Sequence, residues 1–229
     1  AEIKSLRSIK DTARMGRDAW RFLFGKITQQ RRMLKDPFAV FSAKWFAQQL
    51  GCQVVITVRH PAAFISSLKR LGWSFNFNDL LNQRLLMRDW LASFEDEIKD
   101  LQSKPNDVIL RGALLWRMIY HVVHQYQQEN QPFLIVRHKD LSLSPINEFK
   151  NLYKKLNILY TPKAQTGIRI ATQFGNPAEV SEKSVHSVKL DSHANIFNWK
   201  KRLNPEEIDR IRESTADVAA HYYTDEDWA

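Results

Sequence analysis

Val54-Val55-Ile56-Thr57-Val58-Arg59-His60-Pro61-Ala62-Ala63-Phe64-Ile65-Ser66-Ser67-Leu68-Lys69-Arg70 is the stretch that decides the fold. Its first five residues are all β-branched, the pattern of a strand buried on both faces of a parallel sheet. Pro61 suits the first turn of a helix, so strand and helix follow each other directly. That junction carries Arg59 to the carboxyl edge of the sheet, where open α/β sheets bind ligands. It also sets Arg59 beside a helix amino end, whose free N–H groups favour anions. Ser67 stands eight positions after Arg59 and shares a helix face with Ala63 and Arg70. A guanidinium fork, a hydroxyl and helix amides can together hold one phosphate dianion. The same residues also read as a surface arginine and a helix serine with no ligand.

Working outward, the chain alternates helix and strand. Residues up to about Arg32 have helical spacing, with Ile3, Leu6 and Ile9 and then Trp20 and Leu23. Lys35-Asp36-Pro37 interrupts it, because Pro37 drives Asp36 out of the helical region. A helix from about Phe38 to Leu50 ends at Gly51, a favoured C-cap. Met87, Leu91, Phe94, Ile98 and Leu101 form one apolar stripe of a helix spanning about 79–101. Another helix covers about 108–128, and Phe133-Leu134-Ile135-Val136-Arg137 is a second strand. Ser144-Pro145 opens a helix with Phe149, Leu152, Tyr153 and Leu156 on one face. Residues 173–195 lose periodicity and read as a long loop. Asn204-Pro205-Glu206-Glu207 then starts a helix with a capping box. Strands separated by helices indicate one α/β domain over 1–229, helix-rich, with a parallel sheet.

Composition narrows the classes further. Hydrophobic residues are 44% and charged residues 26% of the 229, an ordinary globular mix. No apolar run reaches the ~18 residues that span a bilayer, so no integral membrane segment is expected. The start lacks the apolar core of a signal peptide, and the expected location is cytoplasmic. Cys52 is the single cysteine, so it has no internal partner for a disulfide and reads as a small buried hydrophobe. With no Cys/His cluster, no metal is expected. The net charge of +9 favours anionic partners. Lys and Arg are spread along the chain, and no zinc-finger, zipper or RNA-recognition signature occurs, which argues against nucleic acid.

An arginine, seven intervening residues and a serine after a buried strand resembles the 3′-phosphate motif of sulfotransferases that use 3′-phosphoadenosine 5′-phosphosulfate (PAPS). Other segments resemble the same family. Leu34-Lys35-Asp36-Pro37-Phe38 is similar to the Lys-Asp-Pro element that precedes this strand in tyrosylprotein and many bacterial sulfotransferases. Val136-Arg137-His138-Lys139-Asp140-Leu141, followed by Ser144-Pro145, is similar to the family's Arg-Tyr-Glu-Asp-Leu…Pro segment, with His138 for Tyr and Lys139 for Glu. Lys189-Leu190 and then Asn198-Trp199-Lys200 resemble the late segment that closes over the nucleotide. The four elements stand in the family's order from about residue 34 onward.

The resemblance implies a P-loop-NTPase-like three-layer fold and transfer of a sulfuryl group to a hydroxylated glycan, lipid or metabolite. It implies PAPS as donor, held by Arg59, Ser67, Arg70, His138, Lys189 and Lys200, with Lys35 as the catalytic cation. Lys35 also reads as a helix-end residue, and Asp36 as a turn residue rather than a base. The family's 5′-phosphosulfate loop, Arg-Ser-Gly-Thr-Thr-like, has no counterpart in residues 1–34, where Gly16 and Gly25 are isolated. The expectation is therefore either that this strand and loop are missing from these residues or that the chain is not competent alone. A nucleotide kinase is the nearest enzyme alternative, but no Gly-Lys-Ser/Thr loop is present. An anion- or nucleic-acid-binding protein is the non-enzymatic one. Residues 72–78 around Trp73 read either as an acceptor wall or as a surface loop. Ser184 and His186 read either as contacts to the nucleotide or transition state or as residues of a solvated loop, with Ser187 no better supported, and His121 and His124 as core or rim.

Overall fold

In a computed structural model of the chain, the described residues are 15–17, 19–20, 23–25, 27–28, 31, 33–73, 75–102, 104, 107–179 and 189–229. Ile3, Leu6 and Ile9 lie outside them, as do Ser184, His186 and Ser187. The chain divides into two compact units, Ala1–Ala39 and Val40–Ala229, and the α/β elements belong to the second. In the first unit, residues 15–17, 19–20 and 23–25 are helical, and Trp20 stacks on Phe24 at 6.4 Å. Asp36 accepts hydrogen bonds from the N–H groups of Phe38 (2.8 Å) and Ala39 (3.2 Å), the turn-forming role expected of Asp before Pro.

The second unit is helix-rich α/β. It begins with helix α1 (Ala43–Leu50), which Gly51 ends at φ 61°, a conformation that costs glycine little. Strand β1 (Val55–Val58) follows, then helix α2 (Pro61–Leu71), with Pro61 in its first turn and Gly72 at φ 59° as its C-cap. Helix α3 (Glu95–Gln102) leads to the 21-residue α4 (Val108–Gln128), whose amino end Asp107 caps by accepting from Leu110 N–H at 3.0 Å. Strand β2 (Leu134–Arg137) runs directly into α5 (His138–Leu143) and α6 (Pro145–Lys155). Helices α7 (Pro162–Thr172) and α8 (Pro205–Ala219) follow, with short helical turns at Ser192–Asn195 and Trp199–Arg202 between them. The capping box at Asn204 and Glu207 forms as read, with bonds of 2.8 and 3.0 Å.

β1 and β2 pair in parallel, with Val55 opposite Leu134 and Val58 opposite Arg137. Both strands therefore deliver their last residues, and the helices that follow, to one end of the sheet. Helix α4 packs against α2 and α8. Its Leu114, Leu115, Met118 and Val122 join the main core around Ile56 and Val58, while Ile109 and Ala113 join a second cluster with Ala62, Ile65, Trp199 and Ile211.

Four expectations need correcting. The double-sided burial expected of β1 does not form: Ile56 and Val58 are buried, but Thr57 between them is exposed, so within this unit one face is covered. The helix expected over 79–101 is broken into short turns with a π-helical stretch at Met87–Leu91 before α3. Its apolar stripe is nonetheless buried from Met87 to Leu101, so packing is kept where helical hydrogen bonding is not. Cys52 is exposed, because it lies in the turn after the Gly51 cap, with its N–H on Phe46 O, before the strand begins. Part of the aperiodic stretch 173–195 is helical, at Ser192–Asn195, where Asp191 accepts from Ala194 N–H.

The crossing of α2 and α4 depends on Gly112. A Cβ there would meet the Ile65 side chain at 3.1 and 3.2 Å. Gly112→Leu should therefore overpack this seam and cost about 1–3 kcal/mol. A lower urea midpoint with an unchanged slope is the expected result, and an unchanged midpoint would mean that the seam relaxes freely.

Candidate functional site

The site is built where β1 hands over to α2, and α4 fixes the handover. Trp116 and Tyr120, one turn apart on α4, both reach the Arg59 backbone. Trp116 Nε1–H donates to Arg59 O at 2.8 Å, and Arg59 N–H donates to Tyr120 Oη at 3.0 Å. Tyr120 O–H in turn donates to Thr57 O at 3.1 Å. The residue leaving a strand has no ladder partner of its own, so these two side chains satisfy groups that burial would otherwise make costly. Two further tyrosines close the arrangement, Tyr223 O–H donating to Val58 O and Tyr222 O–H to Tyr120 O, each at 3.0 Å.

With its backbone clamped, Arg59 extends along α2. Its Nη2 donates to Ser67 Oγ at 3.0 Å, and Ser67 also donates back to Ala63 O at 3.1 Å, an i−4 bond within the helix. Arg59 Nε is buried and has no partner. Burial lowers the guanidinium's pKa from its usual value; Arg202 and Arg70 add to that, while Tyr120 and Tyr223 oppose it. A buried guanidinium with an open donor, in a field made more positive by Arg202 and Arg70, favours an anion as its partner. Arg202 is itself held by Glu179, whose Oε1 lies 2.8 Å from Nη2.

A cleft opens in front of this group, lined by Arg59, His60, Ala63, His138, Lys139 and Trp199, together with residues 195–196. α2 starts at its rim, so the first-turn amides have no acceptors within the helix. His60 is 7% exposed and sits in an aromatic box, parallel to Trp199 at 5.2 Å and edge-on to Tyr223 and Trp228 at 4.9 and 4.4 Å. Neither of its ring nitrogens has a partner. Burial pushes its pKa down to about 4, against the attraction of Asp227 and with added repulsion from Lys139 and Lys200. His138, the first residue of α5, is likewise pushed down to about 4 by burial and by Arg59. Both rings are therefore neutral at pH 7. Lys139 is the cleft's second cation, its Nζ 2.6 Å from the buried Asp227, which also accepts from Thr224 N–H at 2.9 Å. Behind it, Arg137 forms a bidentate pair with Asp140, at 2.8 Å for each bond.

Of the residues expected at the site, Arg59, Ser67 and His138 come together here, and Arg70 lies close enough to perturb Arg59. Lys200 does not line the cleft: its ammonium lies over the Phe197 and Trp199 rings at 5.5 Å and donates to Ala229 O. Lys189 is exposed and is not among the cleft residues. Lys35 is exposed and belongs to the first unit, Ala1–Ala39. Trp73 is half exposed. His121 packs edge-on against Phe94, and His124 stacks on His221 at 3.6 Å, both at the rim of α4.

Sequence reasoning missed His60, Trp116, Tyr120, Arg202 and the Lys139–Asp227 pair. A signal for two of them was present: Trp and Tyr at i and i+4 bring polar tips into an otherwise apolar helix, and such tips need partners. The Lys139–Asp227 contact spans 88 positions and leaves no local trace.

Among the described residues, no group of three or more His, Cys, Asp or Glu side chains is placed to hold a metal ion, and no helix is long and apolar enough to cross a membrane. Set against family models, curated proteins and solved structures, the chain matches none.

The two neutral histidines set an acid limit. Their pKa values near 4 in the folded chain lie below the ordinary 6.5, so between these values the unfolded chain binds more protons. Their stabilising contribution is complete above pH 6.5 and is lost as pH falls toward 4. The loss amounts to roughly 3 kcal/mol for His60, at ~1.4 kcal/mol per pKa unit, and less for the half-buried His138. The melting temperature should fall across this range, and it should fall less steeply in His60→Phe/His138→Gln. Parallel acid limbs for the variant and the natural chain would refute the assignment.

Proposed function

We propose that this chain is the nucleotide-binding body of a sulfotransferase, which moves a sulfuryl group from PAPS to a hydroxyl of a glycan, lipid or small-molecule acceptor. The observation that carries the reading is the 3.0 Å bond from Arg59 to Ser67 at a strand-to-helix junction. It joins the two residues whose spacing resembles the family's 3′-phosphate motif. The buried, unpartnered Arg59 Nε and the neighbouring Arg70 and Arg202 fit the same role, since a phosphate dianion can accept from several such donors at once. The finer fold reading goes with this proposal: β1 and β2 are adjacent parallel strands of a P-loop-like three-layer sheet, with α2 as the helix after the second phosphate-binding strand.

PAPS supplies a sulfuryl group on a phosphate leaving group, and the products are a sulfate ester and adenosine 3′,5′-bisphosphate. The residues of this chain bind and orient. Arg59, Ser67 and the first amides of α2 take the 3′-phosphate, with Arg70 close to them. His138 and His60, both neutral, form walls that exclude water without adding charge. Lys189 and Lys200 carry over from the resemblance as late contacts to the nucleotide, so Lys200 must leave Ala229 O to make one. Lys35 carries over as the cation on the sulfuryl or bridging oxygens, where charge builds during in-line displacement at sulfur. Location in the cytoplasm and the absence of a nucleic-acid partner belong to this proposal too.

Arg59→Ala should weaken adenosine 3′,5′-bisphosphate by about ten- to a hundredfold, in line with the ~1.5–3 kcal/mol of a lost charged hydrogen bond. Adenosine 5′-monophosphate, which lacks the 3′-phosphate, should be affected far less. Calorimetric titration of both ligands decides the matter, and equal losses would remove the assignment.

For Lys35, the chain is assayed together with a 5′-phosphosulfate loop. Lys35→Ala should lower kcat by about two orders of magnitude, as for one preorganised donor, with little change in donor affinity. Lys35→Arg should also be impaired, since a planar fork does not replace a compact ammonium. Near-normal kcat in Lys35→Ala would leave Lys35 as a helix-end residue.

A further inference from the structure

The hairpin formed by α6 and α7 differs from the rest of the second unit in both charge and exposure. Residues 145–172 carry five cations, Lys150, Lys154, Lys155, Lys163 and Arg169, and a single acid, Glu148. None of the five is in an ion pair with a described residue, whereas Lys44, Lys69, Lys139, Arg117, Arg202, Arg210 and Arg212 all are. All five are exposed, and α7 buries no residue at all. Spacing groups them further: Lys150 and Lys154 stand one turn apart on α6, and Lys163 and Ile170 two turns apart on α7.

Exposed apolar side chains frame the same helix. Leu159 is 81% exposed just before α7, Phe174 is 94% exposed just after it, and Ile170 is 42% exposed in its last turn. Both flanking turns are tied down. Before Leu159, Asn157 adopts φ 53° and Ile158 N–H bonds Tyr153 O at 2.9 Å; after it, Thr161 caps α7 by accepting from Ala164 N–H at 3.1 Å. Beyond Phe174, Gly175 turns at φ 90° and the Asn176 side chain donates to Ile170 O at 2.9 Å. The backbone thus presents Leu159 and Phe174 to solvent in fixed conformations, at the two ends of an 11-residue helix ~16 Å long.

We propose that this hairpin is a docking surface for an anionic lipid bilayer, with α7 lying in the plane of the interface. An interfacial helix needs apolar side chains to enter the acyl boundary and basic ones to meet the headgroups, and the two add in binding strength. The unpaired cations supply the charge complementarity. Two of the three exposed apolar side chains, Leu159 and Ile170, are aliphatic, which favours lipid over a nucleic acid, whose bases reward aromatic stacking; Phe174 suits either. This surface is independent of the cleft and of the activity proposed for it.

The test is co-sedimentation of the full chain with vesicles of phosphatidylcholine alone and of phosphatidylcholine mixed with phosphatidylserine. Binding is expected only to the mixed vesicles, and it should weaken as salt rises. K154E/K155E should weaken it by more than about five-fold per lysine, the worth of one cation near such a surface. L159S/F174S should weaken it as well, and both variants should keep the melting temperature and the adenosine 3′,5′-bisphosphate affinity of the parent. No sedimentation with mixed vesicles, equal sedimentation with both kinds, or variants that bind like the parent would each overturn the proposal. Retention of single-stranded RNA in place of vesicles would overturn it in favour of a nucleic-acid surface.

Discussion

Everything around the candidate site depends on how the backbone of one residue is held as it leaves a strand. Arg59 has passed the last pairing of β1 and has not yet entered α2, so its N–H and C=O belong to neither ladder nor helix. Two side chains of α4 take both groups. Because those side chains are one helical turn apart, the direction of α4 sets the orientation of the Arg59 peptide. The guanidinium then has only the length of α2 along which to lie, and Ser67 is the hydroxyl it meets. A charged group partly removed from water is held in one place only when the scaffold leaves it no alternative position.

The electrostatics follow from the same constraint. Arg70 and Arg202 add positive charge around Arg59, and the two histidines that line the cleft with it stay neutral. Asp227 draws on Lys139 and Glu179 on Arg202, so the carboxylates nearby are already engaged with other cations. What faces the cleft is net positive and shaped by aromatic rings. The proposed 3′-phosphate would meet these donors with several acceptor oxygens at once, whereas a neutral polar molecule would leave some of them unpaired.

Much of this was legible in the sequence, for local reasons. The β-branched run, the Pro61 start, the Gly51 stop and the Asn204–Glu207 cap are set by backbone sterics and by hydrogen bonds within a few residues, and each formed where it was read. Arg59 and Ser67 were legible because a helix converts spacing into contact. The 79–101 segment shows the limit of that logic: period identifies which side chains are buried, but not whether the backbone between them stays α-helical. Trp116, Tyr120, Tyr223, Arg202 and Asp227 enter the site from 57 to 168 positions away from Arg59. No periodicity links such residues, and only the packing of α4 and α8 brings them together.

The register of the sheet also has a consequence for the order of assembly. Val55 finds its partner in Leu134, seventy-nine positions later, and the carbonyl of Val58 finds its own in Tyr223, later still. Closing loops of that size costs entropy that local contacts do not repay, so α4 can form early while β1 waits. During synthesis, β1 leaves the ribosome long before either partner exists. It must spend that interval as an exposed, strongly β-prone segment with its hydrogen-bonding groups turned to water. The cleft at the end of β1 is complete only when these distant segments have met, and the interval before that is when the chain is most open to wrong pairings and to capture by chaperones.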